Sequence, residues 1–420
     1  MTSHQVQLLF VDIALILFLS HGLGRLAGRI RQPPVVGEIL AGVLLGPTLL
    51  HGAVSDALFP AGIRPLLTGM ANVGVALFMF GVGLELESGK LRGRGRVAAA
   101  TVLGSTLVPF ALGIPLAFYL LHGHSSSNHA AFVVFIGLSV SVTAFPVLAR
   151  ILADRRLGNT AVGGLALAVA AAVDVVAWTA LAGVQAAVGG GSEHWLVALT
   201  VPFLAVMLLV VRPLLRTLLA PGGRAVPLGP QKFAVVLIGA LLSAAATEAM
   251  GMHFIFGAFL FGVVMPRTGA DAVRTEIHGR TGQVTSLLLP VYFVVAGLNV
   301  DLGGLGPGEF AQLGVILLVA LVGKLGGTYL GSRSQGLPPR PASALAVLMN
   351  TRGLTELVIL GVGLQIGLLD GSLYSLMVVM AVVTTAMTGP LLSRVYAKPV
   401  DLPQPARERE LKPVATNSSR

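Results

Sequence analysis

The chain of 420 residues contains no cysteine, which excludes disulfides, thiol chemistry and thiolate metal sites. Charge is scarce too: 11% of residues are Asp, Glu, Lys or Arg, against 55% hydrophobic. A soluble protein of this length cannot hide so much apolar surface in one core, so the sequence reads as an all-α polytopic membrane protein. Aromatic residues are only 6% of the chain, which leaves the lipid face to Leu, Val and Ala. There is no Gly-x4-Gly-Lys-Ser/Thr phosphate loop, metal-binding histidine cluster or nucleophile motif, so ATP-driven pumping, enzymatic catalysis and a bound cofactor have no support in the sequence. The first residues lack a basic leader region and run straight into an apolar segment, read as a retained spanning helix.

What the chain has instead is apolar runs. They fall at about 8–24, 35–50, 66–86, 97–121, 130–152, 160–188, 195–219, 231–249, 253–266, 284–300, 310–332, 341–364 and 371–393, which predicts roughly thirteen spanning helices of ~20 residues. The second and ninth are short. Lys and Arg cluster in alternate connections, as in Arg25, Arg29 and Arg31, then Lys90 to Arg96, then Arg150, Arg155 and Arg156. Of the 28 basic residues only Arg64, Lys324 and Arg352 lie elsewhere. The positive-inside rule then places the protein in the cell membrane with the N-terminus outside and the C-terminus cytoplasmic, which requires an odd helix count. The net charge of +10 is a topology signal, and nucleic acid is not an expected partner; membrane lipid is. Residues 1–397 are expected to form the membrane domain, and 398–420 a short disordered cytoplasmic tail.

The two halves resemble each other. Gly37-Glu-Ile-Leu-Ala-Gly42-Val answers Gly257-Ala-Phe-Leu-Phe-Gly262-Val, Gly83-Leu-Glu-Leu-Glu87 answers Gly297-Leu-Asn-Val-Asp301, and Thr143-Ala-Phe-Pro146 answers Thr351-Arg-Gly353. The order is kept across a shift of seven helices, an odd number, so the repeats (roughly 35–188 and 253–393) have inverted topology. Transporters of this architecture hold their sites near the midplane where helices are discontinuous. Pro146 removes a backbone N–H, and Gly353 follows the polar residues Asn350, Thr351 and Arg352; both segments are expected to be broken and to cross near the site.

Ionisable residues inside apolar runs mark candidate sites, because burial there is costly. Asp174 lies mid-run in the sixth segment and Lys324 mid-run in the eleventh, and they are expected to pair. A structural ion pair joining the halves is one reading. The other is that Asp174 alternately holds a cation and a proton while Lys324 fills the empty state; lysine, unlike arginine, can lose its charge on burial. Ser139 and Thr143 offer neutral oxygens to a partly dehydrated alkali ion. Arg352 and Glu356, four apart, can neutralise each other or the ends of the broken helices. Glu38 is read as an interface or helix-terminus residue, Asp12 and Glu248 as hydrated, and His122, His124 and His129 as solvated loop residues.

Pro34-Val-Val-Gly-Glu38-Ile-Leu-Ala-Gly42-Val-Leu-Leu-Gly-Pro47, Leu77-Phe-Met-Phe-Gly81, Ser141-Val-Thr-Ala-Phe-Pro146-Val-Leu-Ala-Arg150, Ala172-Val-Asp174-Val-Val-Ala-Trp178 and Leu348-Met-Asn-Thr-Arg-Gly-Leu-Thr-Glu356-Leu together resemble the monovalent cation:proton antiporter-2 family over about residues 8–395. The resemblance implies a thirteen-helix sodium/proton antiporter-like fold in which a core moves elevator-like against a dimerisation domain, and a homodimer. It implies that Asp174 is the ion-binding aspartate, Lys324 the basic residue facing it, and residues 143–146 and 350–353 the unwound crossings. Relatives commonly carry Asn-Asp or Asp-Asp where this chain has Val173-Asp174. Exchange of Na+ or K+ for protons is the implied activity; a K+ efflux channel and a proton-coupled carrier of an organic solute are the alternatives on the same scaffold.

Overall fold

The computed structural model describes residues 3–30, 32–48, 52–60, 62–85, 95–124, 126, 128–158, 160–188, 199–219, 228–250, 253–266, 271–303 and 306–396. The basic connection at 86–94 and the tail at 397–420 lie outside the described residues, and so does the expectation of a disordered tail. Among the described residues the secondary structure is helical: α1 (Ser3–Arg29), α2 (Pro34–Leu45), α3 (Ala53–Leu58), α4 (Arg64–Glu85), α5 (Gly95–Leu120), α6 (His129–Ser141), α7 (Phe145–Asp154), α8 (Ala161–Val188), α9 (Thr200–Leu219, with a π-helical turn at Met207–Val211), α10 (Pro230–Ala249), α11 (Phe254–Val264), α12 (Asp271–Leu298), α13 (Pro307–Arg333), α14 (Pro339–Met349), α15 (Leu354–Gln365) and α16 (Gly371–Val395).

Local signals set many of these boundaries. Pro34, Pro230, Pro307 and Pro339 each open a helix, where the missing N–H has no intrahelical partner to lose. Asn128 and Asp370 cap α6 and α16 by accepting from Ala131 N–H (3.0 Å) and Leu373 N–H (2.8 Å). Each apolar run falls on one helix or, twice, on a broken pair. Nine helices among the described residues are long and apolar enough to cross a membrane, and ten if α14 and α15, bent by 40°, make one span. Helices α2, α6 and α11, of 12, 13 and 11 residues, are apolar but too short to cross alone. Helix α12 departs from its expected start at 284: it begins at Asp271, because Glu276 and Arg280 pair one turn apart (2.5 Å), Arg280 lies over the Phe233 ring (5.5 Å), and Arg274 donates to the Leu84 carbonyl.

The repeat governs the packing. Helix α1 packs on α2 as α10 packs on α11, α2 meets α12 as α11 meets α4, and α5 and α13, its repeat mate, form the most extensive helix contact. The repeated glycines sit at these seams. A Cβ on Gly42 would collide with the Val294 carbonyl and one on Gly297 with the Ile39 carbonyl; at the matching crossing, Gly83 lies on the Phe259 carbonyl and Gly262 on the Phe80 carbonyl. Small residues that let backbones touch are how helices associate without a hydrophobic driving force between them. Gly323, Gly327 and Gly331 form a stripe on α13 that meets Pro109, Gly104 and Ala100 of α5 in the same way. Two units result. Helices α1, α2, α4, α10, α11 and α12 pack together, as do α5 to α8 with α13 to α16, and contact between the units is slight.

One connection departs from expectation. His124 is buried rather than solvated, because it staples three elements: its ring nitrogens face Asp370 Oδ2 at the head of α16 (2.7 Å) and Gln312 Oε1 of α13 (3.0 Å). The Asp370 hydrogen bond, helped by Gln312 and by the charges of Asp370 and Glu309, raises the His124 pKa above its usual value despite burial, and the same bond lowers that of Asp370. A raised histidine pKa contributes stability that is complete below its unfolded value and is lost as pH rises through the folded value. The depressed aspartate contributes above its own unfolded value and loses that contribution in acid. His124→Gln is therefore expected to melt below the parent at about pH 6 and to match it more closely at about pH 9. Melting curves in detergent across that range check this, and a difference that grows with pH would contradict it.

Candidate functional site

A helix stopped in an apolar interior leaves its last carbonyls and first N–H groups without intrahelical partners. The structure contains two such stops, facing each other. The chain leaves α6 at Ser141, passes Val142–Ala144 as extended backbone and re-enters a helix at Phe145, while α14 ends at Met349 and α15 starts at Leu354. The breaks cross: Ala144 N–H donates to the Thr351 carbonyl (2.9 Å), and the Thr143 hydroxyl to the Met349 carbonyl (2.7 Å). From α16, the Thr384 carbonyl accepts from the Asn350 amide (3.2 Å), and the Thr385 hydroxyl holds the backbone of Arg352 (2.8 Å). Pro146 is the second residue of α7, not an interior kink, so the break precedes it where a first-turn proline is tolerated. Gly353 has φ +156°, and a Cβ there would press on the Val147 side chain at 2.5 Å, so the turn into α15 requires glycine.

Four ionisable residues converge here, all buried: Asp174 of α8 is 4% exposed, and Lys324, Arg352 and Glu356 are 0%. The cations take the carbonyl end of α6. Arg352 donates to the Ser139 carbonyl (2.7 Å), the Val140 carbonyl (2.6 Å) and Glu356 Oε2 (2.8 Å). Lys324 Nζ donates to the Ser105 carbonyl of α5 (2.9 Å) and to the Ser141 carbonyl. This places positive charge where the helix dipole is negative.

The carboxylates take the opposite poles. Glu356 lies in the first turn of α15. Asp174 Oδ2 accepts from the Thr355 hydroxyl of that turn (3.4 Å), and the Phe145 amide at the head of α7 also faces the carboxylate. Helix N-termini favour negative charge, so the two half-helices form a cradle with their positive ends toward Asp174. Asp174 Oδ1 has no protein partner, nor have the nearby Ser139 Oγ, Asn350 Oδ1, Thr351 Oγ1 and Glu356 Oε1.

Several expectations change. Asp174 and Lys324 are not an ion pair within 4.0 Å: α13 lies so close to α5 that the ammonium is taken by carbonyls first. The Arg352–Glu356 pairing is present at 2.8 Å. Thr143 spends its hydroxyl proton across the crossing, whereas the Ser139 hydroxyl stays unpartnered. Asp12 is buried, with both carboxyl oxygens lacking a protein partner, whereas Glu248 is exposed as expected and accepts from Phe254 N–H (2.8 Å) at the start of α11. Thr355 and the Phe145 amide escaped the sequence reading, although Thr355 adjoins the Glu356 already singled out.

Two cavities open at the end that carries the basic connections. One, of about 260 Å³, lies between α4, α7 and α12 and is lined by Phe145 and Ala149. The other, of about 340 Å³, holds Glu38, Arg25, His21 and Arg150, and shares Ser286 and Leu289 with the first. Glu38 thus sits where α1 and α2 meet α7.

Residues 14–398 match the family described as sodium/hydrogen exchanger, transmembrane, and the chain belongs to that family. It is 38% identical over 412 residues to the Na(+)/H(+) antiporter NhaS4 of Synechocystis, a match covering 95% of this chain and 100% of that one. Cation/H(+) antiporter 20 of Arabidopsis thaliana is 36% identical over 93% of the chain, and K(+)/H(+) antiporter 1 of Saccharomyces cerevisiae 32% over 94%. The chain spans about half the length of these last two, 48% and 47%. The fold matches the sodium proton antiporter MjNhaP1 of Methanocaldococcus jannaschii with a TM-score of 0.68, at 15% identity, over 94% of this chain and 97% of that one.

Removing one partner of a buried pair costs about 3–5 kcal/mol, because the other charge is left without compensation. Arg352→Met is expected to lower unfolding stability by about that much, and Arg352→Met/Glu356→Met by less than the sum of the single changes. Thermal unfolding of the four proteins in detergent gives the cycle; additive losses would show that the pair acts as two independent groups.

Proposed function

We propose that the chain is a secondary antiporter exchanging Na+ or K+ for protons across the membrane by alternating access, with cation and proton competing for Asp174. The observation that carries this reading is the cradle itself. One carboxylate, almost fully buried, faces the N-terminal ends of two broken helices and keeps an oxygen free of protein partners, next to other unpartnered oxygens. A cation that binds only when the carboxylate is ionised, and a proton that binds only when the cation has left, give one-for-the-other exchange at a single group. Lys324 and Arg352, bonded to carbonyls of α6, set basic groups against its negative pole and keep a dehydrated cation from resting there.

The relatives are named for Na+ and for K+, which sets the cargo class as monovalent. The core is α5 to α8 with α13 to α16, moving against α1, α2, α4, α10, α11 and α12. With α2, α6–α7 and α11 counted as crossings the total is thirteen, and the positive-inside rule then supports an N-terminus outside and basic connections in the cytoplasm. Helix α9 and the exposed apolar faces beside it are the place for the partner of a homodimer.

Asp174→Asn keeps the shape and the Thr355 contact but cannot release a proton. Reconstituted in liposomes, it is expected to lose cation-driven proton flux while eluting as the parent does on gel filtration. Undiminished flux would overturn competition at Asp174. Exchange that persists at zero membrane potential, driven by either ion gradient, separates the antiporter from a channel.

A further inference from the structure

The cavities described above lie at the end that carries the basic connections; one turn of α8 beyond Asp174, toward the other end, aromatic rings pack together. Trp178 follows Asp174 by one turn of α8 and is 4% exposed. Its ring lies 5.9 Å from Phe256 of α11, edge-on, and 6.2 Å from His253, the residue that caps α11; His253 in turn lies 4.4 Å from Phe254. Edge-on and tilted ring contacts of this spacing are attractive beyond their buried area. Trp178 belongs to the unit that carries the broken helices, and His253 and Phe256 to the opposite unit, so the rings span the seam between them.

Two buried polar atoms distinguish this cluster from ordinary packing. Trp178 Nε1 and His253 Nδ1 have no protein hydrogen-bond partner. Leaving a buried donor or acceptor unmade carries a free-energy cost. That cost disappears if the two units part here and water enters.

We infer that Trp178, His253 and Phe256 form the gate that closes Asp174 on the side opposite the cavities, and that Trp178 is a positioning residue whose release from His253 and Phe256 admits ions to that side. The inference rests on the antiport reading. It makes the closed gate metastable: ring contacts hold it, and two unmet polar atoms favour its opening. The cation or proton bound at Asp174 never touches these rings while the gate is shut; it meets them only on leaving toward that side.

The chain has no cysteine, so introduced thiols report without background. In Trp178→Cys/His253→Cys, a short bifunctional thiosulfonate is expected to join the two units, suppress cation/proton exchange in proteoliposomes at least ~10-fold, and release it on reduction. Exchange at the uncross-linked rate with the bridge formed, or failure of the bridge to form, would overturn the gate. The parent chain, assayed alongside, tests the antiport reading separately: if it exchanges no cation for protons, that reading fails and not the gate. Should the double variant not fold, His253→Cys alone answers, labelled from the side opposite the basic connections by a membrane-impermeant maleimide. Labelling is expected to be slow and to accelerate at least ~10-fold when Trp178 is also replaced by Ala, whereas equal rates would refute the gate.

Discussion

Two helices that stop inside an apolar interior must find partners for their ends from side chains and from each other, since no lipid can supply them. The crossing at 142–144 and 350–353 meets that demand in three ways: a backbone bond from Ala144 to Thr351, hydroxyls from Thr143 and Thr385, and two cations on the α6 carbonyls. Each requires close approach by another helix. The glycine stripe of α13 brings Lys324 within reach of Ser105, and the glycine at 353 lets α15 start at the angle that sends Arg352 toward Ser139 and Val140. The repeat-related packing is thus the means by which the ends are held.

The two breaks are alike in backbone and unlike in charge. The end of α6 receives Arg352 and Lys324, whereas the Met349 carbonyl at the end of α14 receives the Thr143 hydroxyl. One pole is therefore strongly positive, and the poles where α7 and α15 begin are left to Asp174 and Glu356. Glu356 is held by Arg352; Asp174 is held only by a hydroxyl and an amide. That difference leaves Asp174 the less constrained of the two carboxylates, which is what the proposed exchange requires. Val173 beside it is buried at 1% exposure and brings no second acid or amide.

Much of this was legible from sequence because it depends on spacing. Apolar runs located every long helix, and the glycines matched between the halves, Gly42 with Gly262 and Gly83 with Gly297, proved to lie at close backbone seams. Seams of this kind tolerate no side chain, so they leave a trace in residue type. The partner of Lys324 left none: backbone carbonyls are present at every residue, and only the crossing angle decides which are exposed. The same holds for the Phe145 amide. His124 was misjudged because its burial is created by Asp370 and Gln312, distant in the chain, and Asp12 because depth along a helix does not say which way its side chain faces. The early start of α12 was hidden by its polar residues, which a helix can carry when they pair along its face or lie on a neighbouring ring.

Burying four ionisable groups is costly, and a moving part that had to break and remake their partners would meet that cost at every cycle. The structure avoids it. Every partner of Lys324, Arg352, Asp174 and Glu356, namely the carbonyls of Ser105, Ser139, Val140 and Ser141, the Thr355 hydroxyl and the Phe145 amide, belongs to the unit of α5 to α8 and α13 to α16. None of the ion pairs among the described residues joins the two units: Arg280–Glu276 lies in one, His124–Asp370 and Arg352–Glu356 in the other, and Arg64 of α4 pairs with Asp56 of α3. The hydrogen bonds and ring contacts between the units are neutral, as in Tyr374 to the Ala296 carbonyl (3.1 Å), Asp301 N–H to Ser375 (3.0 Å) and the rings around Trp178, while Glu38 and Arg150 share a cavity there at longer range. Neutral hydrogen bonds exchange with water at a net cost near 1 kcal/mol each, and ring contacts at a similar one. The charges can therefore travel as a settled set while only weak contacts are exchanged, which is the energetic condition for carrying a buried carboxylate from one side of a membrane to the other.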